Sequence, residues 1–230
     1  TAIKRELEHV SEVRRVQREG RARSGVFKVA LAGYTNAGKS SLINRLCGSD
    51  VLSYDKLFAT LDSTTRKLVL PEGRTITVTD TVGFIQKLPT TLVEAFKSTL
   101  DEITGADLVL HVVDSSSAEA DDQVQAVHDV LGQIGAQGIP SVMVLNKADL
   151  LDGARIEALR QRFPLAQMVS ARTGEGIDAL MDRIALAAAA ADELMEVVIP
   201  FERGGLVSQA HEQCHIIAKS HEEGGTRLQM

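Results

Sequence analysis

Gly33-Tyr34-Thr35-Asn36-Ala37-Gly38-Lys39-Ser40 narrows the possible folds of this chain more than any other stretch. It has the form G-x-x-x-x-G-K-[ST], which works as a loop between a strand and a helix. Phe27-Lys28-Val29-Ala30-Leu31-Ala32 before it reads as a short, largely apolar strand, and a helix follows to about Cys47. A chance match in a chain of 230 residues is about one in a hundred at average composition, and the flanking elements lower that further. In such a loop the backbone N–H groups form a nest for phosphate oxygens, backed by the positive end of the helix. Gly33 and Gly38 let the backbone come close, Lys39 reaches the β- and γ-phosphates, and the Ser40 hydroxyl ligates Mg²⁺. The competing reading is a Gly-rich turn that binds nothing.

The rest of the chain alternates strands with helices. Lys67–Leu70 and Thr75–Thr79 form a hairpin around Pro71-Glu72-Gly73. Strands are predicted at Asp107–Val113, Ser141–Leu145 and Ala166–Val169. Helices are predicted at Leu92–Ile103, 118–134, 154–161 and Ile177–Leu194, the last running through the Ala-rich stretch. Apolar strands separated by helices imply a mostly parallel six-stranded sheet covered on both faces, with the hairpin adding an antiparallel edge. Residues 25–194 are therefore expected to be one α/β domain. Beyond it, 196–201 (strand), 204–212 (helix), 214–220 (strand) and 226–230 (strand) make a small βαββ segment over 195–230. Before it, Ile3, Leu7, Val10, Val13 and Val16 mark one stripe of a helical arm over 1–24.

Charge and composition exclude several classes. Residues 1–24 carry a net +3 and the remainder a net −9, so a mildly basic arm precedes an acidic body. Such a body does not wrap nucleic acid through broad charge. Aromatic residues are 3% of the chain with no Trp, too few for a base-stacking platform. No run of 18 apolar residues exists, so no membrane partner is expected. Cys47 and Cys214 are too few for a disulfide scaffold or a four-cysteine zinc site. His211, Cys214, His215 and His221 do not complete a metal set. His111, inside an apolar strand, reads as a satisfied core histidine. The chain starts at Thr1 without Met or a signal peptide, so a piece of a longer protein of the cytoplasm, or of an organellar stroma or matrix, is expected.

Three further motifs sit at C-terminal strand ends, where ligands bind in open α/β sheets. Asp80-Thr81-Val82-Gly83 lies 40 residues after Ser40. Its Asp can hold Mg²⁺ through water, and its Gly N–H can sense a γ-phosphate. In Asn146-Lys147-Ala148-Asp149 the carboxylate can accept from guanine N1–H and the 2-amino group, a pair adenine does not offer. Asn146 can tie this loop to the phosphate loop, and the Lys147 stem can cover the base. In Ser170-Ala171-Arg172 the Ala171 N–H can meet guanine O6. An ATP-dependent kinase-like protein is disfavoured by Asp149, and a non-enzymatic module would need GTP binding without turnover.

The set resembles translation-factor-class GTPases with the P-loop GTPase fold. Its wording at 33–40, at Phe58-Ala59-Thr60-Leu61-Asp62-Ser63-Thr64-Thr65-Arg66 and at Asp80–Ile85 resembles the HflX family of ribosome-associated GTPases. The resemblance covers residues 1–195 well and the tail loosely, and makes 1–24 the end of the arm of an N-terminal domain. It implies GTP/GDP as the bound nucleotide, Mg²⁺, the large ribosomal subunit and its RNA as partner, and rescue or splitting of stalled ribosomes. No DNA partner is implied, and a monomer is expected. The alternative within the class is a GTPase of ribosome assembly or tRNA modification. By matching position, the contact set extends to Ser41 and to Phe58, Ala59, Thr60, Leu61 and Asp62. Thr60 becomes the switch threonine on Mg²⁺ and γ-phosphate, with Thr64 and Thr65 as competitors, and Lys39, Thr60 and Gly83 become the catalytic groups.

Two positions stay open. Many GTPases carry a Gln after the D-x-x-G glycine to orient the attacking water. Here Phe84 stands in that place: plain packing, a slow enzyme awaiting a partner, or a nucleotide-gated binder. Asn36 either helps hold a K⁺ or stabilises its loop. Arg14, Arg15, Arg18, Arg21 and Arg23 either touch ribosomal RNA or form a solvated helix face.

Overall fold

The computed structural model describes residues 26–48, 64–84, 97–192, 195–214 and 216–230. The arm predicted over 1–24 lies outside them, as do residues 49–63 and the start of the helix predicted at Leu92–Ile103. The chain divides into two compact units, Thr1–Ala187 and Ala188–Met230.

In the first unit the order is β1 (Lys28–Gly33), α1 (Lys39–Cys47), β2 (Thr64–Val69), β3 (Thr75–Asp80), α2 (Lys97–Thr104) and β4 (Leu108–Asp114). Then come α3 (Ala120–Gln133), β5 (Ser141–Asn146), α4 (Gly153–Arg162), β6 (Gln167–Met168) and α5 (Ile177–Ala190), whose last turn crosses the division at Ala187. The six strands form one sheet in the order β2-β3-β1-β4-β5-β6. β1 runs parallel to β3 and β4, β4 to β5 and β5 to β6, while β2 is the antiparallel edge. The chain therefore fills one side of β1 and then the other. The crevice beside the end of β1 is the switch point where such sheets bind ligands.

Successive side chains on a strand face opposite ways, yet five consecutive residues of β1 and six of β4 are buried, so both faces are covered. Ala30, Ala32 and Val109 pack with Leu100 and Ile103 of α2 and Val127 and Leu131 of α3. Val113 and Leu145 pack with Ala120 and Leu159. The edge strand β2 mostly alternates and is largely exposed. It begins at Thr64, three residues before the predicted start, because β3 offers partners up to the Thr64–Asp80 pair.

His111 is 3% exposed in β4, between Ala32 and Met143 of the neighbouring strands. It is a core histidine, but the expectation that it is satisfied is corrected: its Nε2 makes no hydrogen bond among the described residues. Its ring stands edge-on to His128, with centroids 5.5 Å apart. Burial, and secondly the charge of His128, lower its pKa to about 4. The folded protein thus holds this imidazole neutral, whereas the unfolded chain takes up a proton near pH 6.5. Stability is complete above pH 6.5 and falls as the pH drops toward 4, by about 2 kcal/mol at pH 5. Urea midpoints at pH 7 and 5 check this. His111→Leu is expected to remove most of the difference, and an unchanged difference refutes the assignment.

The second unit holds β7 (Glu196–Ile199), α6 (Gly204–Gln213), β8 (Ala218–Glu222) and β9 (Gly225–Gln229), with an antiparallel sheet in the order β7-β9-β8. Two predicted boundaries shift. Pro200 lacks an N–H and ends β7, so Phe201–Arg203 form a single 3₁₀ turn instead of strand. β8 starts at Ala218 rather than 214, because Ala218 pairs with Gln229 at the end of β9. Arg227 on the central strand bridges Glu196 (2.5 Å) and Glu222 (2.8 Å), a solvated contact of modest worth. Among the described residues, no helix is long and apolar enough to cross a membrane.

Candidate functional site

The loop between β1 and α1 turns back on itself through Asn36 (φ 62°) and Gly38 (φ 91°). Asn is one of the few residues that tolerates the left-handed region, which is a backbone reason for Asn36. Gly38 is required twice over: by its φ, and because a Cβ there would lie 2.3 Å from Asn146 Nδ2. Lys39 opens α1, and its Nζ folds back to donate to the carbonyls of Gly33 and Tyr34, both at 3.1 Å. Burial lowers its pKa to about 8 against the opposing pull of Asp80. An anion seated in the loop would stabilise the charged form further, and a buried ammonium acts on it far more strongly than one in water. Ser41 follows, half-buried, in the first turn of α1.

The strand end carrying Asp80–Gly83 lies directly beside this loop. Ser40 Oγ donates to Asp80 Oδ2 at 2.5 Å, and Thr81 Oγ1 to the Leu31 carbonyl at 2.5 Å. Phe84 extends the sheet by one rung, its N–H on Gly33 O (3.0 Å) and its carbonyl on Thr35 N–H (2.9 Å). Val82 and the Phe84 side chain are buried, the latter among Leu100, Ile103 and Val127. Of the three readings of Phe84, core packing is what its side chain does. Gly83 passes so close that a Cβ would sit 2.8 Å from Thr35 Cα and 3.0 Å from Lys39 Nζ. Its lack of a side chain sets how near the D-x-x-G backbone comes to the phosphate loop.

Ser40 and Asp80 are two adjacent hard oxygen donors, the chemistry Mg²⁺ takes when phosphate oxygens and water complete its shell. Among the described residues no cluster of three or more His, Cys, Asp or Glu competes with them. Thr65 Oγ1 lies 2.9 Å from Thr79 Oγ1 and so serves the hairpin, while Thr64 stands opposite Asp80 in register. Phe58, Ala59, Thr60, Leu61 and Asp62 lie outside the described residues.

The base-side loops meet the phosphate loop through one side chain. Asn146 Nδ2 donates to Ala37 O at 2.9 Å, and Asn146 Oδ1 accepts from Ala171 N–H at 3.0 Å. The tie between loops expected of Asn146 is present, and the Ala171 N–H expected at a base oxygen is held by that same amide. Lys147 (φ 64°) pairs its Nζ with Asp114 Oδ2 at 2.6 Å. Ala148 N–H donates to Val169 O at 3.1 Å, which aligns the Asn146–Asp149 turn with the next strand. Asp149 Oδ1 accepts from Ser170 Oγ at 2.5 Å, and Oδ2 lies 2.6 Å from Arg172. The Ser170 hydroxyl above all, and then Arg172, hold its carboxyl below the usual range against the opposing effect of burial.

The predicted loops that lie among the described residues thus converge on one edge of the sheet. Three residues escaped the sequence reading. Asp114 ends β4 as Asp80 ends β3, and that position was its signal. Ser115 donates both its N–H (3.0 Å) and its hydroxyl (2.5 Å) to Asn146 O. Arg45, on the outer part of α1, donates from Nε to Ala171 O (2.9 Å) and from Nη2 to Arg172 O (2.5 Å). Nothing local marks it, because its partners lie 126 and 127 positions away.

A model of the 50S ribosome-binding GTPase family matches residues 28–147. GTPase HflX of Caldanaerobacter subterraneus subsp. tengcongensis is 42% identical over 224 residues, 97% of this chain and 51% of that protein. GTPase HflX of Gluconacetobacter diazotrophicus is 46% identical over 222 residues, 94% of this chain and 49% of that protein. The chain spans about half the length of these curated relatives. Among solved structures, a GTP-binding protein from the hyperthermophilic archaeon Sulfolobus solfataricus in complex with GDP has TM-score 0.56 at 26% identity, covering 83% of this chain and 57% of that one. Era of Aquifex aeolicus bound to GDP·AlF4− has TM-score 0.57 at 22% identity, over 70% of this chain and 56% of that one, a likeness of fold.

Proposed function

Because this chain belongs to the HflX family of 50S ribosome-binding GTPases, we propose that it binds GTP and hydrolyses it to GDP and phosphate on the large ribosomal subunit. The observation that carries this reading is the Asn146 side chain, which joins the phosphate loop at Ala37 to the base loop at Ala171. One rigid tie lets a triphosphate and a guanine be read together. In this reading residues 25–194 are the GTPase domain and 195–230 a small C-terminal domain.

The phosphate-loop N–H groups and Lys39 carry the β- and γ-phosphate charge as it redistributes in transfer. Ser40 and Asp80 would hold Mg²⁺, with Thr60 as the further ligand that the resemblance assigns. The ion's part is to neutralise charge on the β- and γ-oxygens. The Gly83 N–H is the γ-phosphate sensor, and Asp149 selects guanine. Phe84 gives no group to orient water, so turnover alone is slow and a partner completes the site. That partner is the large subunit and its RNA. The protein acts as a cytoplasmic monomer, and the energy of the cycle serves to split or rescue stalled ribosomes.

Co-sedimentation and single-turnover hydrolysis test this together. The chain is expected to pellet with large subunits in a non-hydrolysable GTP analogue and not in GDP. Large subunits are expected to speed hydrolysis at least tenfold on the full-length protein and less on this chain, each tenfold needing about 1.4 kcal/mol of transition-state stabilisation. Equal pelleting with both subunits in every nucleotide state, with no acceleration, refutes the reading. The same assay in KCl and NaCl tests whether Asn36 helps hold a K⁺: a faster rate in KCl supports it, and equal rates leave Asn36 its backbone role alone. Asn36→Gly is the informative variant, since it removes the amide and keeps the left-handed φ.

A further inference from the structure

Arg45 is the one long side chain of α1 that reaches the base loop among the contacts described above. Its guanidinium presents two neighbouring N–H groups to two successive carbonyls, Ala171 O at 2.9 Å and Arg172 O at 2.5 Å. It also lies against Gly174, where a Cβ would stand 3.9 Å from Arg45 Cζ. That is the use of a planar fork, which a Lys ammonium cannot reproduce. Ala171 is consequently gripped from both sides, its N–H by Asn146 Oδ1 and its carbonyl by Arg45 Nε. Asn146 is in turn fixed to the phosphate loop at Ala37 O. The loop's own bonds, Ser170 N–H to Glu175 O (2.9 Å) and Gly174 N–H to Ser170 O (2.8 Å), shape it but do not tie it to the rest of the site.

We infer that Arg45 is a positioning residue for base recognition: the Ala171 N–H, given to Asn146 Oδ1 in this structure, must be shared with or handed to the 6-oxygen of guanine, and Arg45 holds that peptide by its carbonyl so that the N–H stays within reach of the base. This rests on the guanine reading given under the proposed function. The physical case is one of distance. A hydrogen bond weakens steeply once its donor moves by a few tenths of an ångström or turns off line. The 170–174 loop is anchored toward the phosphate side by a single amide, and Arg45 provides the second anchor. Ser170 and Arg172 also hold the loop to Asp149 of the neighbouring turn, and Arg45 adds the tie to α1 that restrains it against pivoting toward or away from the phosphate side. Because Arg45 belongs to the helix that follows the phosphate loop, phosphate and base sites are held at one spacing. Arg45 touches no nucleotide in this account, and acts through Ala171.

Equilibrium titration with three nucleoside diphosphates separates this role from a general structural one. GDP and inosine diphosphate both carry the 6-oxygen, and 2-aminopurine riboside diphosphate lacks it. Arg45→Met, which keeps an unbranched apolar stem, is expected to weaken GDP and inosine diphosphate alike by up to about tenfold, the upper end of the scale for one hydrogen bond between neutral groups. Binding of the 2-aminopurine analogue is expected to stay unchanged. Arg45→Lys keeps the charge and loses the second carbonyl, so the same base pattern is expected with a smaller factor; it serves as the test if Arg45→Met folds poorly. Equal losses for all three nucleotides, or no loss for any, overturn the inference. If the unmodified protein itself binds GDP and the 2-aminopurine analogue equally, it is the guanine reading that fails, and the two failures are distinct.

Discussion

Asp149→Asn is expected to weaken GTP binding by about a hundredfold and to confer binding of xanthosine triphosphate. The carboxylate accepts at both oxygens, whereas the amide turns one acceptor into a donor. Guanine N1–H and its 2-amino group then lose their acceptor pair, and each unmatched buried donor costs about 1–3 kcal/mol. Xanthine carries an oxygen in place of the amine and meets the new N–H instead. The fold has little reason to change. Ser170 Oγ, which donates to Asp149 Oδ1, can donate equally to an amide oxygen, and it separately accepts from Thr173 N–H at 3.0 Å. The lost partner is Arg172, whose side chain is 73% exposed, so that pair contributes little to stability. Titration with both nucleotides measures the effect. Equal GTP binding by the two proteins refutes the role of Asp149, whatever happens to the xanthine nucleotide.

Phe84→Ala is expected to destabilise the first unit by about 3–5 kcal/mol, the cost of emptying a buried aromatic site. That is a large share of the stability of a typical domain. The residue is 3% exposed, and it packs between the sheet and α2 and α3. Phe84→Gln separates packing from chemistry. If position 84 faced the attacking water, a Gln would raise intrinsic hydrolysis. Since the side chain points into the core, the amide is buried among apolar neighbours, and the expected result is lost stability without faster turnover. Denaturant unfolding and single-turnover hydrolysis on the same preparation decide it. A Gln variant of unchanged stability and raised rate places the side chain outside the core and refutes this account.

The parts of the fold legible in the sequence were those encoded within about ten residues. Apolar runs marked β1, β4 and β5, and their lack of alternation marked a sheet buried on both faces. Pro71-Glu72-Gly73 marked the hairpin, where Gly73 takes φ 89°. Boundaries were less legible where pairing decides them. β2 reaches back to Thr64 because Asp80 is there to pair with it, and β8 waits until Ala218 because β9 ends opposite it.

The candidate site divides along the same line. Gly38 and Lys39 were readable because a phosphate nest is a property of one loop's backbone angles and of the helix that follows it. The direction of Phe84 was not, since packing, awaiting a partner and binding without turnover all remain open for a lone Phe, with the slow enzyme awaiting a partner favoured. Only the tertiary structure shows the side chain packed between the sheet and two helices. Thr65 likewise looked free to serve a metal until the hairpin put Thr79 beside it. His111 was legible as core, but its bare Nε2 depends on what surrounds β4 from both sides. By itself, then, the sequence determined the order of elements, the phosphate loop and the chemistry offered at each strand end. Tertiary structure decided which of those groups hold one another: Asn146 to Ala37 across 109 residues, Lys147 to Asp114, and Arg45 to the base loop. The reason is physical. Backbone angle and hydrophobic period are set by near neighbours, whereas a hydrogen bond between loops exists only once the strand order β2-β3-β1-β4-β5-β6 has brought their ends to one edge.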